Sequence, residues 1–290
     1  MPPAEVLSRI TQASAKQIDS FALLLPKTCA KFNSAAGSGP VPQFFFAQQE
    51  VSARIELLRT AVPKVAEDIV DHANNILENR VPILGYGFVD LGPAIDWQLD
   101  IINGKRAAHR PWPRINYLEF DEVGDSKVTW EVSRHQFLVT LAKAWLLTSD
   151  ERYIRKIEAI FNDWQTKNPY PMGINWCSSL EVAFRSLSWI WVRELLCTCT
   201  LATKLRDDIA SALAFNAWYI NRYLSTYFSP NTHLLGEAVA LFFIGTLCPG
   251  TSKSEAWRIL GWKALLDHAY TKVRADGGYF EQSTYYHVYA

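Results

Sequence analysis

The stretch SSLEVAFRSLSWIWVRELL, residues 178–196, decides the fold. Read as a helix, it is apolar on more than one side, with Leu180, Phe184, Leu187 and Trp191 surrounding the charged pair Glu181 and Arg185. A surface helix needs one apolar stripe, whereas a helix apolar most of the way round needs neighbours on both sides. Other segments are amphipathic. Residues 50–80 place Ile55, Leu58, Val62, Val65, Ile69, Ala73 and Ile76 at a three-to-four spacing, which predicts a helix. Further helices are predicted over 128–148, 151–167, 177–197, 204–227, 233–247 and 253–274. Gly and Pro punctuate 82–114, which reads as an irregular connection, and AAGSGPVP at 35–42 reads as a flexible stretch. Amphipathic helices alternating with buried ones, joined by short loops, predict an all-α chain. Its helices pair in two concentric layers as an α/α toroid or solenoid rather than a simple bundle.

The chain has 290 residues, 49% of them apolar and 20% charged, the balance of a globular protein able to bury a sizeable core. Lys plus Arg equals Asp plus Glu at 29 each, so no global field points to nucleic acid or a membrane surface. Any anionic ligand must be met by local charge. Eleven Trp residues suit a wide core first and sugar-stacking platforms second. Five Cys without CxxC spacing read as reduced, mostly buried thiols, and no His cluster has metal-ligand spacing, so no metal and no cofactor are expected. The first residues show no basic segment followed by a long apolar run, and no apolar run reaches membrane-spanning length. A cytoplasmic location is the expectation from these features.

Four constellations carry chemistry. In KVTWEVSRHQF, 127–137, Glu131, Arg134 and His135 share one helical face at i, i+3 and i+4, opposite a stripe of Trp130, Phe137 and Leu141. Spacing alone fits a charged cleft and a solvated face equally. In the second, Glu181 and Arg185 form an i, i+4 pair in apolar company, preceded by Asn175 and Trp176 at the helix mouth, where an indole could stack on a sugar ring. The third is SPNTHLLGEA, 229–238. Ser229 as N-cap and Pro230 as first helical residue explain its start, but leave Asn231 and His233 without a task. Those two reach one pocket only if the chain is irregular at 231. The fourth, DGGYFEQSTYYHVYA at 276–290, follows a turn signal with Glu281, Tyr285, Tyr286 and His287. A basic segment with Lys105, Arg106, His109, Arg110 and Arg114 around Trp112 could meet an acidic polymer or simply be a solvated loop.

Taken in order, KVTWEVSRHQFLVTLAKAWLLTSDERY, NPYPMGINWCSSLEVAFRSLSW, NTHLLGEA and DGGYFEQSTYYH resemble the N-terminal domain of heparinase II/III-type polysaccharide lyases, with the LGYG…DW region through Trp97 fitting too. The resemblance implies an incomplete α/α toroid at 81–290, preceded by a helical segment at 1–80. It implies a C-terminal β-sandwich partner domain in cis beyond residue 290, supplying a catalytic His, so activity of this chain by itself is not expected. It also implies β-elimination on a uronic-acid polysaccharide. Carried over, Asn231 neutralises the uronate carboxylate with His233 beside it, and Tyr286, or its neighbour Tyr285, donates the proton. Glu131, Arg134, His135, Asn175, Trp176, Arg185, Tyr285 and His287 are then the expected substrate contacts. Members of such a family are often exported, so a periplasmic location is its counter-expectation. Two other readings stay open: a toroidal glycoside hydrolase with carboxylates drawn from Glu131, Glu181 and Glu281, and a non-catalytic carbohydrate-binding or exopolysaccharide-assembly protein.

Overall fold

The computed structural model describes residues 1–21, 44–83 and 85–284. It is helical in the order expected: α1 (Pro3–Ser20), α2 (Val51–Ala61), α3 (Pro63–Leu77), α4 (Phe120–Val123), α5 (Ser126–Ser133), α6 (Gln136–Thr148), α7 (Glu151–Lys167), α8 (Ser179–Leu195), α9 (Thr203–Arg222), α10 (Thr232–Leu247) and α11 (Ser254–Lys272). Local chemistry sets the boundaries. Asp125, Asp150 and Asn231 cap α5, α7 and α10, each accepting a hydrogen bond from the backbone N–H two residues on. Two predicted helices are each split in two. Pro63 cannot donate to the ladder and pushes Val62 out of helical geometry, so 50–80 becomes α2 and α3. His135 adopts a left-handed backbone (φ 59°), so 128–148 becomes α5 and α6. The connection at 82–114 is less irregular than expected. It holds two short antiparallel pairs, β1 (Arg80–Pro82) with β2 (Phe88–Asp90), and β3 (Leu99–Asp100) with β4 (Lys105–Arg106).

The chain folds as two compact units, each discontinuous in sequence. One contains α2–α7, both strand pairs, the C-terminal half of α8 and the start of α9. The other contains α1, the N-terminal half of α8, most of α9, α10 and α11. The expected boundary at residue 80 falls inside the first of these, because α3 packs on α6 and α7 and β1 pairs onward with β2.

In the unit holding α2–α7, seven of the eleven Trp being buried across the chain shows where the indoles go: Trp97, Trp112, Trp130, Trp164, Trp176 and Trp189 line its interior, as the core reading expected. Trp191 is the exposed exception on α8, at 36%, and the rings of Phe44 and Phe45 lie against it at 4.9 and 5.6 Å. Polar side chains tie the loops. Asp100, fully buried, accepts from the backbone N–H groups of Ile102, Asn103 and Asp125 and from Asn103 Nδ2. Gly124, at φ 73°, sits so close that a Cβ there would lie 2.4 Å from Asp100 Oδ2.

In the other unit, α10 and α11 touch backbone to backbone. A Cβ on Gly245 would stand 2.5 Å from Arg258 N, and one on Gly261 2.6 Å from Ala238 O. Small residues at a crossing let two helices approach more closely than side chains otherwise permit. The N-terminal helix grips the chain that follows α9: Tyr223 Oη donates to Asp19 Oδ2 at 2.5 Å, Gln12 Nε2 to Leu224 O at 3.0 Å, and Arg9 Nη2 to Tyr227 O at 3.3 Å. Among the described cysteines there is no disulfide. Only Cys199 is buried, while Cys177, Cys197 and Cys248 are partly exposed, a correction to the expectation of mostly buried thiols. Among the described residues no helix is long and apolar enough to cross a membrane.

Candidate functional site

Asn231 is the N-cap of α10, with φ −120° and ψ −141°. The chain is therefore irregular at 231, the condition that lets Asn231 and His233 face one place. This corrects the assignment of Ser229 as cap and Pro230 as first helical residue. Ser229 instead donates its hydroxyl to Asn231 Oδ1 at 2.8 Å. The same oxygen accepts the His233 backbone N–H at 3.1 Å and lies 3.2 Å from His233 Nδ1. An amide oxygen only accepts, so a hydrogen bond along this line needs the proton on Nδ1. With the oxygen held by these partners, the amide nitrogen has one direction left, and Nδ2 donates to Glu281 Oε1 at 3.2 Å.

Burial pulls the His233 imidazole below the ordinary histidine range, and the carboxylates of Glu181 and Glu281 oppose that shift. A neutral imidazole with its proton on Nδ1 presents Nε2 as a proton acceptor. Glu181, 5% exposed, lies on α8 one turn before Arg185, which is fully buried. Burial pushes the Arg185 guanidinium down to about 9, against the pull of Glu181 and Tyr219. Asn231, His233, Glu181, Arg185 and Glu281 thus form one charged neighbourhood inside a single compact unit.

The residue that sequence reasoning underused is Glu237, one helical turn beyond His233 and fully buried. Its carboxylate accepts from Ser179 Oγ at the start of α8, and from both Ser225 N and Ser225 Oγ at 2.7 Å. Three donors favour the ionised form, yet burial outweighs them and raises its pKa to about 7. Glu237 joins α8, α10 and the loop between α9 and α10. The available signal was a lone carboxylate in the apolar run LLGEAVALFFIG, 234–245, which a helix accepts only when the charge has dedicated partners.

The remaining expected contacts lie elsewhere. Because α5 ends at Ser133, Glu131, Arg134 and His135 do not share a helical face. Glu131 pairs with Arg134 at 2.7 Å, whereas the His135 ring turns inward and is fully buried. It sits between Trp97, Phe137, Trp164 and Trp189, at centroid distances of 5.2–5.9 Å, and accepts the Trp189 indole N–H on Nδ1 at 3.0 Å. Asn175 is 1% exposed and donates to Trp97 O and Asn168 Oδ1. Trp176 is 3% exposed and donates to Asn168 O. Neither presents the open face expected at a helix mouth, because the 174–176 turn is folded under the loop network of Gln98 and Asn168. The basic segment is neutralised locally: Lys105 pairs with Asp121, Arg106 with Asp96 and Arg110 with Glu122. Tyr285, Tyr286 and His287 lie outside the described residues. Among the described residues, no cluster of His, Cys, Asp and Glu could hold a metal ion.

Comparison with known proteins agrees with this architecture. The family model described as Heparinase II/III N-terminus matches residues 41–290. A heparin-sulfate lyase of Pedobacter heparinus is 29% identical over 245 residues, covering 80% of this chain and 32% of its own length. A heparin-sulfate lyase of Bacteroides stercoris is 24% identical over 253 residues, covering 78% and 33%. The chain thus spans about a third of the length of the curated relatives it matches. Among solved structures, the heparan sulfate lyase HepC of Pedobacter heparinus superposes with a TM-score of 0.56 at 24% identity, over 98% of this chain and 37% of that one. A crystal structure of heparinase III gives a TM-score of 0.60 at 19% identity, over 83% and 37%. These likenesses bear out the all-α, α/α-toroid class expected from the helix pattern. A match over residues 41–290, together with the shared fold, makes this chain a member of the heparinase II/III N-terminal family.

Proposed function

We propose that this chain is the toroid domain of a polysaccharide lyase that cleaves a uronic-acid-containing polysaccharide by β-elimination. The observation that carries the reading is Asn231: an uncharged donor, locked by its own oxygen, whose nitrogen points at a carboxylate beside His233. In β-elimination the C5 proton leaves, its electron pair becomes the C4–C5 double bond, and the C4–O bond breaks with a proton going to the departing oxygen. Negative charge builds on the uronate carboxylate as the C5 proton departs. A preorganised amide donor stabilises that charge more in the transition state than in the ground state. Asn231 fills that role. His233 Nε2 is placed to accept a proton, and Tyr286, with Tyr285 as its competitor, serves the leaving oxygen. Arg185, through Glu181, keeps the local charge balanced around His233. The similarity to heparin-sulfate lyases makes a heparan-type chain the first substrate to try.

Paired-carboxylate hydrolysis is less well supported. Glu181 is 5% exposed, Glu131 is paired with Arg134, and the Glu281 carboxyl has one oxygen buried and the other bonded to Asn231. The test is to incubate the full-length protein with a panel of uronate polymers and follow the ultraviolet absorbance of the unsaturated product. Asn231→Ala lowers the rate by about a hundredfold or more, the loss typical of removing one charge-stabilising donor. Saturated reducing ends, or full activity in Asn231→Ala, reject the reading.

A further inference from the structure

The carboxylate at which Asn231 points belongs to the protein itself. Glu281 Oε1 accepts the Nδ2 proton at 3.2 Å, while Oε2 is buried with no hydrogen-bond partner among the described residues. A carboxylate with one oxygen shut from water and one long hydrogen bond on the other is poorly compensated. Its backbone, in contrast, is well anchored. Tyr279 Oη and His268 Nε2 are 2.8 Å apart, Phe280 N donates to Lys272 O at 2.9 Å, and Gln282 N donates to Tyr279 O at 3.1 Å. The segment stays put while the Glu281 side chain is held weakly. The Asn231 amide is the reverse: its orientation is fixed by Ser229 and His233, so its donor cannot turn away to meet a ligand elsewhere.

We propose that Glu281 is a placeholder: its carboxylate occupies the Asn231 donor until the uronate carboxylate of the substrate displaces it, and this exchange sets the selectivity of the subsite. The proposal rests on the role given to Asn231 above. The amide nitrogen carries two N–H groups, but two carboxylates gathered on one nitrogen would bring like charges together, and these repel. An incoming uronate therefore replaces Glu281 at Asn231 and drives the side chain outward, towards water. A neutral sugar brings no charge-assisted bond to offset the one it would break, so the site discriminates against neutral chains by exchange rather than by shape. The placeholder also keeps the already fixed donor paired between turnovers.

The experiment uses the full-length protein, with heparan sulfate as substrate and free glucuronate as a non-cleavable probe. KM for the polymer and Kd for glucuronate are measured for the wild type, Glu281→Gln, Glu281→Ala and Asn231→Ala. Removing the competing charge lowers both constants by about tenfold in Glu281→Gln, the worth of one charge-assisted hydrogen bond. Glu281→Ala, which also removes the acceptor, lowers them at least as far. Unchanged or raised constants in both variants overturn the placeholder. If Asn231→Ala abolishes turnover while the Glu281 variants leave KM and Kd unmoved, the placeholder alone fails. If Asn231→Ala is fully active, the lyase role of Asn231 fails with it.

Discussion

Replacing Glu237 with Gln offers the sharpest physical test of the buried junction beneath the site. The wild-type carboxyl has a folded-state pKa of about 7, against an ordinary value of 4.5. In the window from about pH 4.5 to 7, the folded state keeps a proton that the unfolded chain has released. The unfolded state thus binds fewer protons, and stability falls as pH rises through that window. The difference of about 2.5 pKa units, at 1.36 kcal/mol each, amounts to about 3 kcal/mol of stability present below pH 4.5 and gone above pH 7. Gln cannot ionise, so its variant lacks this slope. It also has one carbonyl oxygen for three donors, from Ser179 and twice from Ser225, which costs about 1–2 kcal/mol at every pH. Urea midpoints followed by tryptophan fluorescence between pH 4.5 and 8 report both effects. The expected record is a variant less stable at acid pH whose deficit shrinks or reverses as pH rises. Parallel curves for the two proteins would mean that the three donors cancel the cost of burial, and the argument would be wrong.

Two further substitutions probe the scaffold. His135→Ala empties a fully buried ring site and leaves the Trp189 indole N–H without its acceptor, costing about 3 kcal/mol or more in equilibrium unfolding. Combined with Trp189→Phe, which removes the donor, the loss is smaller than the sum of the single variants; strict additivity refutes the pairing. Gly261→Ala forces a methyl group against Ala238 O and Phe242 N, both 2.6 Å from the built Cβ, and costs about 1–3 kcal/mol by overpacking. A thermal midpoint within a degree of the wild type shows that α10 and α11 have room to spare.

Much of the fold could be read directly from the chain. The helix at 151–167 and the burial of α8 followed from the apolar pattern of each segment, a local feature. What escaped was long-range or stereochemical. Nothing in the spacing of Glu131, Arg134 and His135 reveals that His135 takes a left-handed conformation and rolls into a cage of indoles, because the cage comes from Trp97, Trp164 and Trp189, far along the sequence. The irregularity at Asn231 was legible as a requirement, since two residues two apart diverge on a helix. Its cause was not, because Asn231 rather than Ser229 supplies the cap. Glu237 was visible as an oddity in an apolar run, but its partners, Ser179 and Ser225, are set by the packing of three separate segments.

The grip of α1 on the chain after α9 has a consequence for how the protein is made. Asp19 meets Tyr223 across 204 residues, and Arg9 meets Tyr227 across 218. At roughly 5–20 residues per second, a ribosome needs tens of seconds to supply those partners after α1 has emerged. Residues 44–177 and 188–209, which build the other unit, are complete before then. An isolated helix of 18 residues is marginal in water, so α1 spends that interval fluctuating, with its apolar face open to chaperones and proteases. A helix made more than 200 residues before its partners is among the last to be seated.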